Sequence, residues 1–282
     1  MKTENLWTIK SNFQPHGGLK ELSKFEKKGS FYSANVLLSD IKGLSSLEEL
    51  CQEFHQEGNF IGIKPYGFQP QAFFFDMDGT CIKEESLVEI AECAGAKNKV
   101  DKITEQAMAG KIDFSTSLRQ RVKYLKGLDE KKLFEVSSKL KLEKGMDVFA
   151  KKCVSQNVPL YLISGGFYPL IDVVGKKVQC KSYVANRFEI NSGYLTGELD
   201  GNIVDKEFKC QWMKDVCNKK GYDLSSVVAV GDGANDKAML DAAGLAVGFK
   251  SKNVLSKSIQ VYNGVGDHNL LNDFLTQDNL FN

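Results

Sequence analysis

The sequence predicts an α/β fold: a doubly wound parallel sheet with an inserted helical cap and a small N-terminal α+β appendage. Three observations predict it. Short apolar runs closed by Asp, Ser or Gly recur from residue 71 onward, helix-patterned stretches separate them, and one gap between runs is far longer than a single crossover helix. Short apolar runs bounded by turn formers read as buried strands. Strands apolar on both faces, alternating with helices, require a parallel sheet, because each crossover lays a helix on one face.

The runs are Gln71 to Asp76, Val158 to Ser164, Ser226 to Asp232 and Leu245 to Gly248. The helix-patterned stretches are Phe167 to Lys177, Phe208 to Lys220 and Asn235 to Ala243. About eighty residues separate the first run from the second, whereas a simple crossover helix takes roughly 10–15. The excess, residues 85–145, reads as a helical cap with loop signals at Gly95, Gly110 and Gly127. Residues 71–84 and 146–282 then form the core. Within the core, Ser182 to Gly201 alternates around Asn191-Ser192-Gly193, the signature of a hairpin. Residues 1–70 read as a separate α+β module with strands at Phe31–Leu38 and Phe60–Ile63. A helix is expected at Ser46–Gln56, where Ser46 and Glu49 have capping-box spacing.

Composition excludes several classes of function. With 37 Lys and Arg against 36 Asp and Glu the formal charge is +1, so no global field draws the chain to nucleic acid or anionic lipid. Seven cysteines, odd in number and without a CxxC pair, read as free thiols in a reducing compartment. The N-terminus lacks a signal-peptide pattern, and no run approaches the ~20 apolar residues of a membrane span. A cytoplasmic protein is the expectation. A homodimer is left open.

The ends of the runs carry the chemistry. Ligands of open α/β sheets bind beyond the carboxyl ends of the strands. Asp76 and Asp78, at i and i+2, project to one side if the backbone stays extended. One carboxylate can then attack phosphorus while the other protonates the leaving alcohol and later deprotonates water. Gly79 permits a tight turn, and Thr80 offers a hydroxyl and an amide. Alone, Asp-Met-Asp-Gly-Thr reads equally well as a surface turn. The second run ends in Ser164-Gly165-Gly166, whose amides, read as the start of the next helix, suit an anion. In Gly231-Asp232-Gly233-Ala234-Asn235-Asp236 the side-chain oxygens suit a hard cation such as Mg²⁺, and carboxylates beside a phosphate dianion require one. Lys209 stands four residues after Asp205 at a helix start, where its charge can serve both nucleophile and phosphoryl group; Lys206 competes with it. In the cap, Phe114, Leu118 and Arg121 share a helical face, so an arginine ends an apolar stripe, with Arg119 turned elsewhere.

DMDGT, SGG, a lysine before a helix and GDGAND, in this order, resemble the four motifs of the haloacid dehalogenase-like phosphatases. Within that superfamily the sequence is most similar to the phosphoserine phosphatase family, from about Gln71 to the C-terminus. The cap shares in it through Glu84-Glu85, Ile103 to Met108, and Asp113-Phe114 through Arg121. The resemblance implies Asp76 as nucleophile and Asp78 as acid/base. It implies metal ligation by the Asp76 carboxylate, the Asp78 main-chain carbonyl and Asp232, with Asn235 and Asp236 in support. Ser164, Gly165 and Lys209 would hold phosphate. Glu85 would meet the substrate ammonium and Arg121 its carboxylate, with Met108 and Phe114 lining the pocket. The implied reaction is hydrolysis of O-phosphoserine, the last step of serine biosynthesis, with Mg²⁺. Two departures stand out: Met77 replaces the expected Phe or Leu, and residues 1–70 do not match the regulatory domain of some relatives.

Other chemistries fit less well. GDGAND lacks the third glycine of a dinucleotide fingerprint, and no GxxxxGK[ST] loop is present. Cys180 and Arg187 are too far apart for a cysteine phosphatase, and His16, His55 and His268 lie far from the motifs. A phosphotransferase on the same fold, or a phosphatase for another small ester, remains the alternative, because an aspartyl-phosphate can discharge to an alcohol. A non-catalytic phosphometabolite sensor is the reading from a different class.

Overall fold

The computed structural model describes residues 6–12, 26–28, 30–37, 58–65, 67–108, 111–255 and 258–275. The helix expected at Ser46–Gln56 lies outside them.

The central strand is β5 (Ala72–Phe75), because its side chains find apolar partners on both faces. Phe73 and Phe75 point into one cluster with Phe149, Leu162, Val228 and Val230, while Ala72 and Phe74 point into the other with Tyr161, Val227, Ala229 and Met213. All three phenylalanines are fully buried, an arrangement worth about 2–3 kcal/mol each. Phe73 meets Phe149 edge-on at 5.0 Å and Phe74 stacks on Tyr161 at 4.8 Å.

Around β5 the described strands form one sheet. Numbered in chain order, β1 (Leu6–Ser11), β2 (Glu26–Lys28), β3 (Phe31–Leu37) and β4 (Phe60–Pro65) precede it. After it come β6 (Leu160–Phe167), β7 (Ser182–Asn191), β8 (Tyr194–Asp200), β9 (Val227–Gly231), β10 (Leu245–Phe249) and β11 (Val261–Asn263). Their spatial order is β2-β3-β1-β4-β11-β10-β9-β5-β6-β7-β8. Neighbours from β11 through β7 pair in parallel. The N-terminal strands continue this sheet instead of forming one of their own: β4 pairs antiparallel with β11, with Tyr262 opposite Ile61. The expected hairpin is β7–β8, and Ser192 and Gly193 take the left-handed φ values, 52° and 83°, that a two-residue turn requires.

Among the described residues four helices follow β5 before the chain returns to the core: α1 (Ser86–Cys93), α2 (Lys97–Met108), α3 (Phe114–Lys123) and α4 (Lys131–Lys139). They match the expected helical insert. Asp113 starts α3 by accepting the Thr116 N–H at 2.9 Å. Helices α5 (Met146–Ser155) and α6 (Leu170–Lys177) cover one face of the sheet; α7 (Lys206–Lys220) and α8 (Lys237–Ala242) cover the other.

One expectation is corrected. Ser164 and Gly165 do not open a helix: β6 continues through them to Phe167, past a register irregularity, and α6 begins only at Leu170. Phe167 decides this, since its ring is fully buried and stacks on Phe188 at 3.9 Å, which holds the chain in the sheet.

Candidate active site

Asp76 leaves the end of β5 with its N–H bound to the Val230 carbonyl at 2.9 Å, which brings β5 and β9 and their carboxylates together. Asp205 caps α7 by accepting the Phe208 N–H at 2.9 Å, so Lys209 lies in the helix's first turn, facing inward. Its ammonium donates to Asp76 Oδ1 at 2.5 Å and Asp236 Oδ1 at 2.7 Å, and the lysine is fully buried. Asp236 spends its other oxygen on the N–H groups of Asp232 and Gly233, at 3.1 and 3.2 Å. Lys209, not Lys206, is therefore the interior lysine; Lys206 has an exposed side chain.

Asp76, Asp232 and Asp236 each place a carboxylate oxygen within 4.8 Å of the others. Burial, and after it the Asp236 charge, hold the Asp76 carboxyl well above the usual range, with Lys209 opposing. The same two causes push Asp232 up to about 7. Burial pulls the Lys209 ammonium down, but its two carboxylates outweigh this and keep it firmly protonated. A hard divalent cation fits the set: the donors are carboxylate oxygens that repel one another, and both oxygens of Asp236 are already engaged. Asp76 and Asp232 keep oxygens that could face such an ion, while Asp236 is engaged by Lys209 and by the N–H groups of Asp232 and Gly233.

Asp78 is differently held. Ser86, at the start of α1, donates its hydroxyl to Asp78 Oδ2 at 2.7 Å, while buried Oδ1 has no protein partner among the described residues. Burial first and the nearby Glu85 second push this carboxyl up to about 7. Gly79, with φ 69°, turns the chain beside Asp232.

Above these groups is a cavity of about 810 Å³ lined by Asp76, Asp78, Glu85, Phe114, Arg121, Gly165, Asp232 and Asn235, among others. It unites most of the expected residues. Phe114, Leu118 and Arg121 all reach it, as their spacing predicts, and Arg119 lines a separate surface depression. Arg121 is held by its own helix, Nε donating to the Ser117 carbonyl at 3.3 Å; burial lowers its pKa and Glu85 opposes this. Ser164 does not line the cavity: it is fully buried and its Oγ accepts the Gly166 N–H at 2.8 Å. Met108 ends α2, and its side chain lies outside the described residues, although Thr104 and Ala107 of the same helix line the cavity.

Sequence reasoning missed Ser86 and the particular role of Gly166. A Cβ on Gly166 would lie 2.6 Å from Ser86 Oγ and 2.8 Å from Asp78 Oδ2, so only glycine fits without displacing that pair. The glycine doublet was a visible signal, and a serine directly after Glu85 was a faint one.

Fold and site together define a class, and a family model confirms it: haloacid dehalogenase-like hydrolase matches residues 73–241, and the chain belongs to that family. Enzymes of this family work with a divalent metal. Within it the chain belongs with the phosphoserine phosphatases. The phosphoserine phosphatase of Lactococcus lactis subsp. lactis is 36% identical over 196 residues, 70% of this chain and 90% of the relative. A phospho-aspartyl intermediate analogue of phosphoserine phosphatase superposes with a TM-score of 0.69 at 30% identity, covering 74% of this chain and all of that one. A haloacid dehalogenase family hydrolase from Salmonella enterica serovar Typhi superposes with a TM-score of 0.84 at 27% identity, covering 96% of this chain and 99% of that one. Among the described residues no helix is long and apolar enough to cross a membrane.

Proposed function

We propose that this protein hydrolyses O-phospho-L-serine to L-serine and phosphate through an aspartyl-phosphate on Asp76, with Mg²⁺ as its metal. The observation that carries the reading is the cavity over Asp76 and Asp78, whose walls include both Glu85 and Arg121. A phosphoserine lying with its phosphate toward Asp76 has an ammonium for the first and a carboxylate for the second.

In the first step Asp76 attacks phosphorus and the bond to the seryl oxygen breaks. Asp78 supplies the proton to that oxygen from Oδ1, since Ser86 occupies Oδ2. In the second step Asp78 takes a proton from water, which attacks phosphorus and releases phosphate and the free Asp76 carboxylate. Lys209 holds Asp76 in place throughout and offers positive charge to the phosphoryl oxygens. Asp76, the Asp78 carbonyl and Asp232 would hold Mg²⁺, which supplies charge neutralisation when bound. Phe114 brings the cap to the phosphate site: a Cβ on Gly165 would lie 3.2 Å from its ring.

In this reading residues 85–145 act as a lid on a core of 71–84 and 146–282, with residues 1–70 as an added module. The six described cysteines are free, which supports a reducing compartment such as the cytoplasm.

Replacing Arg121→Ala tests the substrate. Loss of a charged hydrogen-bond pair is worth about 1.5–3 kcal/mol, so kcat/KM for phosphoserine should fall roughly 10- to 150-fold. An aryl phosphate, lacking the carboxylate, should change little. Equal losses for both would sink the substrate assignment while leaving the phosphatase chemistry intact.

A further inference from the structure

The motif residues do not explain what holds the loop between Asp76 and α1. Met77 gathers its start, with its carbonyl accepting the N–H groups of Cys81 and Ile82 at 2.8 and 3.0 Å. The Thr80 carbonyl is taken by a residue almost two hundred positions away: His268 Nε2 lies 2.7 Å from it. His268 is fully buried, its ring stacked on Phe249 at 4.0 Å and 7° and set edge-on to Phe75 at 5.4 Å. A carbonyl only accepts, so Nε2 carries the proton, and Nδ1, which has no partner among the described residues, is bare.

The same residue holds the other linker of the helical insert, its backbone N–H donating to the Lys144 carbonyl at 2.8 Å. The two linkers are themselves paired. Lys83 N–H donates to the Lys141 carbonyl at 3.0 Å, Glu143 N–H to the Cys81 carbonyl at 2.9 Å, and Lys141 N–H to Glu84 Oε2 at 2.9 Å. A shaped turn delivers His268 to this neck: the Asn263 side chain donates to the Asp267 carbonyl at 3.0 Å and accepts the Gly266 N–H at 3.1 Å.

We infer that His268 is a positioning residue for the reaction. Its Nε2–H to Thr80 and its backbone N–H to Lys144 fix the loop that presents Asp78 and the neck that carries the lid. The inference rests on Asp78 being the acid/base of the proposed hydrolysis.

His268→Phe and His268→Gln test it as a pair, with ¹⁵N NMR of the histidine ring in the unaltered protein. Phenylalanine keeps the stacking and loses the donor; glutamine loses the stacking and keeps an N–H that can reach the same carbonyl. The expected result is an Nε2–H tautomer in the native protein. The Phe variant should lose about 10- to 100-fold in kcat with KM little changed, as misplacement of a reacting group does. The Gln variant should recover most of this even if it melts earlier. A purely structural histidine gives the opposite order, with Phe active and Gln impaired, and that order would overturn the inference. So would an Nδ1–H tautomer, or a Gln variant as slow as the Phe variant. If the Phe variant fails to fold, the tautomer and the Gln variant's kcat decide. Failure of the phosphatase reading is seen separately, as absence of a phosphorylated Asp76 in the unaltered protein.

Discussion

Replacing Lys209→Met removes the ammonium from between two carboxylates while nearly preserving the length of the side chain. The lysine side chain is 0% exposed, Asp76 is 4% and Asp236 is 0%, so water cannot take the place of the lost cation. Breaking a buried ion pair by removing one partner costs about 3–5 kcal/mol. The cost should not double for the second carboxylate, because Asp236 Oδ2 keeps its bonds from Asp232 N and Gly233 N. A loss of about 4 kcal/mol is a large part of the roughly 5–15 kcal/mol that stabilises a typical domain. The pH dependence has a definite sign. Asp76 already titrates above its unfolded value of 3.8, and removing Lys209, the cation that opposes this, raises it further. The folded variant then holds more protons than the unfolded chain, and its stability is lost as pH rises. Urea unfolding of the metal-free protein at several pH values measures both the size and the slope. Stability within about 1 kcal/mol of the unaltered protein at neutral pH, or a deficit that shrinks as pH rises, would refute the electrostatic account.

Gly166→Ala should lower stability by about 1–3 kcal/mol, through a Cβ driven against Ser86 and Asp78. It should also lower kcat by about 10- to 100-fold, and full activity in a phosphate-release assay would contradict the packing argument. Acid should weaken the fold through His268, whose burial pushes its pKa from 6.5 down to about 4, with the Thr80 carbonyl and Asp267 opposing and Lys250 assisting. Its contribution is complete above the unfolded value and is lost as pH falls toward the folded one, up to about 3 kcal/mol in all. Denaturant titrations of His268→Gln should show a flatter stability curve over that range, and an unchanged curve would exclude His268 as the source.

The core of the site was legible because its signals are local. A phenylalanine run ending in Asp76 marks a strand end, Asp205 four residues before Lys209 marks a helix start, and Asn191-Ser192-Gly193 marks a hairpin. What was not legible depends on contacts between distant positions. Ser86 and Gly166 meet beside Asp78 only after β5, β6 and α1 have packed, and neither the glycine doublet nor the serine after Glu85 says in sequence which partner it meets. The three-residue strand β11 is too short for periodicity, so the junction that joins β4 to the parallel sheet could not be read from sequence. The continuation of β6 through two glycines depends on the stacking of Phe167 on Phe188, a pairing decided by tertiary structure against the local turn signal. His268 had looked remote from the motifs for the same reason: its partner, Thr80, is near only in the folded chain.

The central claim is that Asp76 carries the phosphoryl group. Rapid quenching of the Mg²⁺-loaded protein with phosphoserine labelled at phosphorus, followed by acid digestion and peptide mapping, tests it directly. The account predicts label on the peptide containing Asp76, at that residue, and neither label nor phosphate release in Asp76→Asn. Label on any other residue, or phosphate released by Asp76→Asn at the unaltered rate, would contradict it.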